Sequence, residues 1–282
     1  MTTSATKLLC LIGDPVDHSV SPEIFTRAFE ACGLDAVYLA FRVPKEGIGT
    51  ALSGLRALGF LGCNVTVPHK VEVMKCLDEV RGAAVGIGAV NLVKNEGGRL
   101  IGYNTDGEGV LWALSEVNLD GKRVAVIGYG GAARAVAFAI ASRHMPREII
   151  IAGRDAEKAE RLVRDLSGSA KATVMRIDEL SRLDLDLIVN ATPVGMSPNV
   201  EEMPIAEDAL RSGMVVFDLV YSPKNTALLR AARRKGCRTI SGVEMLVRQA
   251  AAGFEIWTGM PAPVEEMRRA ADAALELRGR RG

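Results

Sequence analysis

At 282 residues the chain is long enough for two domains, taking about 150 residues for each. Hydrophobic residues make up 48% and charged ones 24%, the balance of an ordinary globular protein. The formal net charge of +1 supplies no global field toward nucleic acid or an anionic membrane, and 5% aromatics leave little base-stacking surface.

Strand-like and helix-like runs alternate along the chain without repeats or low-complexity segments, which predicts α/β layers with mainly parallel strands. The first strand covers 8–13 and closes in the turn Gly13-Asp14-Pro15. Ser21-Pro22-Glu23 then opens a helix, with serine as N-cap and proline in the first helical position. Residues 37–43 and 62–67 read as the next two strands, with helical spacing over 47–59 between them.

The third strand runs into Asn64-Val65-Thr66-Val67-Pro68-His69-Lys70. Pro68 offers no N–H to a sheet, so the strand stops and leaves Lys70 just past its end, where open α/β folds bind ligands. Alone, a lysine after a Val-Pro turn is usually a solvated surface group. In this place it is a candidate proton-transfer group, because burial or a neighbouring charge can tune it.

Gly102-Tyr103-Asn104-Thr105-Asp106-Gly107 breaks the pattern with turn formers and marks the first domain boundary. After a second turn at Asp120-Gly121-Lys122 comes a β-branched run over 123–127. It leads into Gly128-Tyr129-Gly130-Gly131-Ala132-Ala133-Arg134 and an alanine-rich helix to about Arg143. Strand, Gly128-x-Gly130-x-x-Ala133 and helix form the layout of a dinucleotide fingerprint. The first glycine permits the tight turn, the second lets backbone approach a pyrophosphate, and the small third residue allows close helix–strand packing. Further strands are predicted at 148–152, 185–190 and 214–218, and helices at 245–257 and 264–277 that fold back onto the first domain.

The second strand of the fingerprint unit ends at Ala152-Gly153-Arg154-Asp155. Arg154 directly after the strand, with Lys158 one turn into the next helix, suits the phosphate of NADP. Asp155 has two readings: acceptor for the ribose hydroxyls of NAD, or N-cap of the helix that follows. NADP leads and NAD stays possible.

The five cysteines (Cys10, Cys32, Cys63, Cys76, Cys237) are scattered with no CxxC pair. With no signal peptide and no long apolar run, reduced thiols in a cytoplasm are expected, and no membrane partner. His18, His69 and His144 have no Cys or carboxylate at ligand spacing, so no metal is expected. The basic tail Arg278-Gly279-Arg280-Arg281 reads as frayed and solvated.

With these motifs assembled, the chain resembles the shikimate dehydrogenase family, which includes quinate/shikimate dehydrogenases. The likeness runs from Ile12 to about Gln249. It rests on His18-Ser19-Val20-Ser21-Pro22, the Lys70 motif, Gly88-Ala89-Val90-Asn91, the Asp106 motif and the glycine loop. Asn190-Ala191-Thr192-Pro193-Val194-Gly195-Met196, Asp218-Leu219-Val220-Tyr221-Ser222-Pro223 and Gly242-Val243-Glu244-Met245-Leu246 complete it. The resemblance implies a substrate-binding catalytic domain over 1–107, a Rossmann-type NADP-binding domain over 108–242, and C-terminal helices over 243–282 packing on the first.

It also implies roles. Lys70 and Asp106 form the catalytic pair; Ser19 and Ser21, helped by Tyr221, bind a substrate carboxylate; Thr66, Asn91 and Gln249 hold ring hydroxyls. Gly128, Gly130, Gly131, Ala132, Ala133, Gly153, Arg154, Asp155, Lys158, Thr192, Leu219 and Gly242 would form the cofactor site. Taken singly, Ser21 has a second reading as a helix cap, Asn91 as a turn former and Tyr221 as a core residue.

The implied reaction is the reversible, NADP-dependent reduction of 3-dehydroshikimate to shikimate, in a two-lobed monomer or homodimer whose cleft closes over a small-molecule substrate. Oxidation of quinate or an amino analogue with NAD is the nearest alternative. A non-catalytic nucleotide sensor is the alternative of another class, although a sensor has no need of a proton relay. The chain departs from the usual family pattern at Asp14, Leu92, Tyr129 and Gly153. Tyr129 stands where a small residue is common, and Gly153 where asparagine is.

Overall fold

The computed structural model describes residues 2–279. In chain order the elements are β1 Lys7–Gly13, α1 Ser21–Ala31, β2 Ala36–Arg42, α2 Ile48–Ala57, β3 Gly62–Val65, β4 Glu79–Val80, α3 Ala83–Ile87, β5 Leu92–Glu96 and β6 Arg99–Tyr103. There follow α4 Asp106–Ala113, β7 Arg123–Ile127, α5 Gly131–Arg143, β8 Glu148–Ala152, α6 Ala156–Leu166, β9 Ala172–Met175, β10 Leu187–Asn190, β11 Val215–Asp218, α7 Ala227–Arg234, β12 Arg238–Ser241, α8 Gly242–Thr258 and α9 Val264–Gly279. Two compact units result, one of residues 1–105 with 247–282 and the other of residues 106–246.

The first unit has a six-stranded sheet in the order β2-β1-β3-β5-β6-β4. β2, β1 and β3 are parallel, while β5 runs antiparallel to both β3 and β6. The β5–β6 hairpin and the Gly97-Gly98 turn that closes it are additions to the expected strands, and Gly102 and Tyr103 belong to a strand, not a turn. Every residue of β3 is buried, as expected for a strand covered on both faces. It stops at Val65, two residues before the expected end. Thr66 and Val67 still bond to β1, through Thr66 N–H to Ile12 O at 2.9 Å and Asp14 N–H to Val67 O at 2.8 Å.

The C-terminal helices complete this unit. α9 packs on α1, and Trp257 of α8 sits in an aromatic cluster with Phe25 and Tyr38, the Phe25 and Tyr38 rings stacked at 4.5 Å. Trp257 Nε1 donates to Val93 O at 3.0 Å, which satisfies the polar edge of a buried indole. Arg278 is not part of a frayed tail. Its Nη2 donates to Glu23 Oε1 at 2.7 Å and to Ser19 O at 2.9 Å. Arg280 and Arg281 lie outside the described residues.

The second unit is an all-parallel sheet in the order β12-β11-β10-β7-β8-β9, the doubly wound dinucleotide-binding order. Alternate residues of β7 serve two cores. Val124 and Val126 pack with Val136 and Ile140 of α5 and Leu162 of α6, while Ala125 and Ile127 pack with Leu228 and Ala231 of α7 on the other face. Buried alanines at 133, 135, 137 and 139 let α5 lie close to the sheet. α6 and α7 begin with side-chain caps, Asp155 and Thr226.

Candidate active site

In the first unit, register alone brings the candidate residues to one end of the sheet. Ile12 pairs with Val65, Asn64 with Leu92, and Leu92 with Tyr103. The segments carrying Ser19, Thr66 with Lys70, Asn91, and Thr105 therefore all leave the sheet at the same edge. A cavity of about 390 Å³ lined by Lys7, Leu9, Asp35, Leu61 and Trp257 lies instead by the amino ends of β1 and β3 and contains none of them.

At that edge the polar groups are buried and joined. Asn91 is 3% exposed, and its Nδ2 donates to Thr105 Oγ1 at 3.0 Å and to Gln249 Oε1 at 3.3 Å. Thr105 N–H returns a bond to Asn91 Oδ1 at 2.8 Å. Behind them Tyr38 Oη donates to Asn64 Oδ1 at 2.6 Å, and Asn64 Nδ2 reaches Asn91 O at 3.2 Å. Such a network holds its members in one arrangement because a broken link leaves a buried polar atom unpaired. Thr105, Asn64 and Tyr38 were not among the expected site residues. For Thr105 and Asn64 the available signal was their place inside the two motifs that hold Asp106 and Lys70.

Lys70 is half-buried on the turn after β3. The turn is pinned on both sides. His69 is fully buried with Nε2 on Val43 O at 2.7 Å, and Val90 N–H donates to Lys70 O at 2.7 Å. Thr66 is half-buried and lies against Gly13, where any Cβ would overlap its methyl. Ser21 differs from expectation: α1 begins at Ser21 itself, Val20 occupies the N-cap position, and no side chain caps the helix. Ser19 Oγ accepts from Ser21 N–H at 3.2 Å, and the two hydroxyls meet at 3.1 Å. Pro22, the second residue of the helix, has no N–H to cap, and the two bonded hydroxyls stand side by side at the start of α1.

Asp106, 4% exposed, opens α4 in the second unit, and Tyr221 is half-buried on the loop after β11. Every cofactor candidate also lies in the second unit. Gly128 has φ +118°, a conformation that side-chain-bearing residues rarely adopt, and a Cβ there would press on Ala191 O at 3.1 Å. This places the loops after β7 and β10 together at the topological switch point. A Cβ on Gly130 would meet nothing, and no side chain caps α5. The open space and the N–H groups of Gly131, Ala132 and Ala133 fit a pyrophosphate.

Thr192 is held by Asn190, its Oγ1 donating to Asn190 Oδ1 at 2.6 Å. Asn190 Nδ2 in turn donates to Asp218 Oδ1 at 2.9 Å, and Thr226 Oγ1 to Asp218 Oδ2 at 2.6 Å. Burial pushes the Asp218 carboxyl up to about 6, against the lowering pull of these donors and the Val220 N–H. Asn190, Asp218 and Thr226 are supporting residues that the expected set omitted. Leu219 follows, its N–H on Asn190 O at 3.0 Å, and Gly242 lies so close to the Leu219 backbone that a Cβ would overlap it.

Asp155 is the N-cap of α6, accepting from Lys158 N–H at 3.1 Å, and its other oxygen pairs with Lys158 Nζ at 2.8 Å. The hydrogen bond from Lys158 holds the Asp155 carboxyl below its ordinary value. Arg154 is exposed and makes no hydrogen bond or ion pair among the described residues. No group of three or more His, Cys, Asp or Glu side chains could hold a metal among those residues, and no helix there is long and apolar enough to cross a membrane.

Known proteins share the sequence and the fold of this chain. Residues 11–93 match the family described as Shikimate dehydrogenase substrate binding domain, and residues 242–271 the Shikimate 5'-dehydrogenase C-terminal domain. Residues 124–255 match the Saccharopine dehydrogenase NADP binding domain. The chain is 46% identical to Shikimate dehydrogenase (NADP(+)) of Moorella thermoacetica, across 96% of this chain and 95% of that one. The chain belongs to the shikimate dehydrogenase family. A crystal structure of a shikimate dehydrogenase in complex with NADP+ superposes with TM-score 0.88 at 42% identity, covering 98% of each chain. Quinate dehydrogenase from Corynebacterium glutamicum in complex with NAD reaches TM-score 0.86 at 32% identity, covering 95% of this chain and 99% of that one.

Proposed function

We propose that this protein is an NADP-dependent dehydrogenase that interconverts shikimate and 3-dehydroshikimate, with Lys70 and Asp106 as its proton-transfer pair. The observation that carries the reading is the match along nearly the whole chain to relatives named Shikimate dehydrogenase (NADP(+)). The buried Asn91–Thr105–Gln249 cluster supports it, as an array of donors and acceptors suited to ring hydroxyls.

Oxidised NADP would supply a hydride acceptor at the substrate carbon. The chain's own residues do the rest. Ser19 and Ser21 hydroxyls donate to the substrate carboxylate, helped by Tyr221. Thr66, Asn91 and Gln249 fix the ring so that one C–H faces the acceptor. As the hydride leaves, the alcohol O–H proton passes to Lys70 Nζ, and Asp106 balances the charge that develops there. In the reverse direction the same nitrogen returns the proton to the carbonyl oxygen.

Gly128, Gly130 and the α5 N-terminus with Gly131, Ala132 and Ala133 would hold the pyrophosphate. Thr192, Leu219 and Gly242 would line the adjoining loops, and Gly153, Arg154 and Lys158 the 2′-phosphate end. Asp155 motivates the second reading, a quinate or aminoshikimate dehydrogenase accepting NAD, like the NAD-bound quinate dehydrogenase above. Its carboxylate is engaged by the α6 N-terminus and Lys158, which favours the first.

Initial rates with shikimate or quinate and NADP+ or NAD+, in all four combinations, test this. Shikimate with NADP+ should be fastest. Faster turnover of quinate, or with NAD+, replaces the first reading with the second, and no turnover in any combination removes both.

A further inference from the structure

The Tyr129 ring occupies the space that a side chain at position 153 would take. A Cβ built on Gly153 would stand 2.6 Å from Tyr129 Cδ1 and 2.7 Å from Cε1. A tyrosine inside the glycine loop and a glycine after β8 are thus one feature, two departures from the family pattern that fit each other. The ring has a second neighbour. Lys158 Nζ stands 5.7 Å from its centroid, within cation–π range, while Asp155 Oδ2 holds the same nitrogen at 2.8 Å. A lysine with a long side chain, 63% exposed, is thereby restrained between a ring and a carboxylate.

We propose that Tyr129 is a positioning residue for cofactor selection: seated on Gly153, its ring holds the Lys158 ammonium where the 2′-phosphate of the dinucleotide binds. The inference rests on the NADP reading above and adds a residue to it. Free lysine ammonium groups lose rotamer freedom on meeting a phosphate, and a side chain already restrained loses less. Tyr129 acts through Lys158, so its effect belongs to ligands that carry the 2′-phosphate and not to the adenosine common to both cofactors.

The test uses binding of 2′,5′-ADP and 5′-AMP by calorimetry, with thermal unfolding to check folding. Wild type should prefer 2′,5′-ADP. Tyr129→Leu should weaken 2′,5′-ADP by roughly two- to fivefold, the worth of a cation–π contact at an exposed site, and leave 5′-AMP unchanged. Tyr129→Phe, which keeps the ring, should bind like wild type. In a Lys158→Met background, Tyr129→Leu should change nothing further, because the partner is gone. Gly153→Ala, whose methyl displaces the ring, should reproduce the Tyr129→Leu loss. Equal weakening of both nucleotides by Tyr129→Leu, or no weakening, overturns the proposal and leaves the NADP reading intact. A wild type with no preference for 2′,5′-ADP overturns both.

Discussion

Arg278 Nη2 donates at 2.9 Å to the backbone carbonyl of Ser19, tying the last turn of α9 to the segment that carries the candidate carboxylate-binding hydroxyls. Its bond to Glu23 Oε1 at 2.7 Å fixes the guanidinium against the first turn of α1. The Arg278 and Glu23 side chains are 30% and 41% exposed, so the ion pair itself adds little stability. Its consequence is positional. Arg278→Met should raise the KM for shikimate about three- to tenfold, as expected for losing part of a charged hydrogen bond, and leave the Kd for NADP+ unchanged. An unchanged KM would mean that Ser19 is held by α1 alone.

In the proposed reaction Lys70 and Asp106 carry the chemistry, and neither belongs to the proposed nucleotide site. Lys70→Ala should lower kcat by about 10²–10⁴-fold, the usual worth of a positioned proton-transfer group. Asp106→Asn should also lower kcat strongly, and NADP+ binding measured by fluorescence should persist in both variants. A Lys70→Ala enzyme with wild-type kcat would assign the proton to another group. A wild type that binds nucleotide and shikimate without turning over would be a sensor.

Legibility in the sequence followed the kind of signal. Runs such as 123–127 and 148–152 were readable to the residue, because strands covered on both faces are uninterrupted apolar stretches bounded by turns. The β5–β6 hairpin was not, since Leu92–Glu96 mixes apolar and polar residues and its pairing depends on partners far off in the chain. Ser21 looked like a cap because serine before Pro-Glu is a common helix start, yet the helix begins one residue earlier. At the site, residues inside motifs were visible, whereas the supporting roles of Thr226 and Arg278 come from contacts made only on folding.

Asp218 predicts a pH dependence of stability. Its carboxyl titrates near 6 in the folded chain against an ordinary 3.8, so between those values the folded state keeps a proton that the unfolded state has released. Stability from this group is therefore full below about pH 4 and is lost as pH rises to about 6, by roughly 3 kcal/mol at 1.36 kcal/mol per unit. Asp218→Asn keeps acceptors for Asn190 and Val220 and can donate to Thr226, but it does not titrate. The unfolding free energy of wild type minus that of Asp218→Asn should fall across pH 4–6 and level off above. A flat difference would show that Asp218 is ionised in both states throughout.

Arg154 is an exposed guanidinium with no protein partner among the described residues, directly beyond β8, while the neighbouring carboxylate of Asp155 is engaged by Lys158. A free arginine beside an occupied aspartate favours a 2′-phosphate over bare ribose hydroxyls. Arg154→Ala should cut the NADP+ over NAD+ preference in kcat/KM by about ten- to a hundredfold, the range for losing a charge-assisted hydrogen bond, almost entirely through weaker NADP+ binding. Because the contact is exposed, the wild-type preference should itself shrink as salt is raised from 0.05 to about 0.5 M, and the Arg154→Ala preference should respond less. Equal salt slopes in the two proteins would move the selecting charge from Arg154 to Lys158.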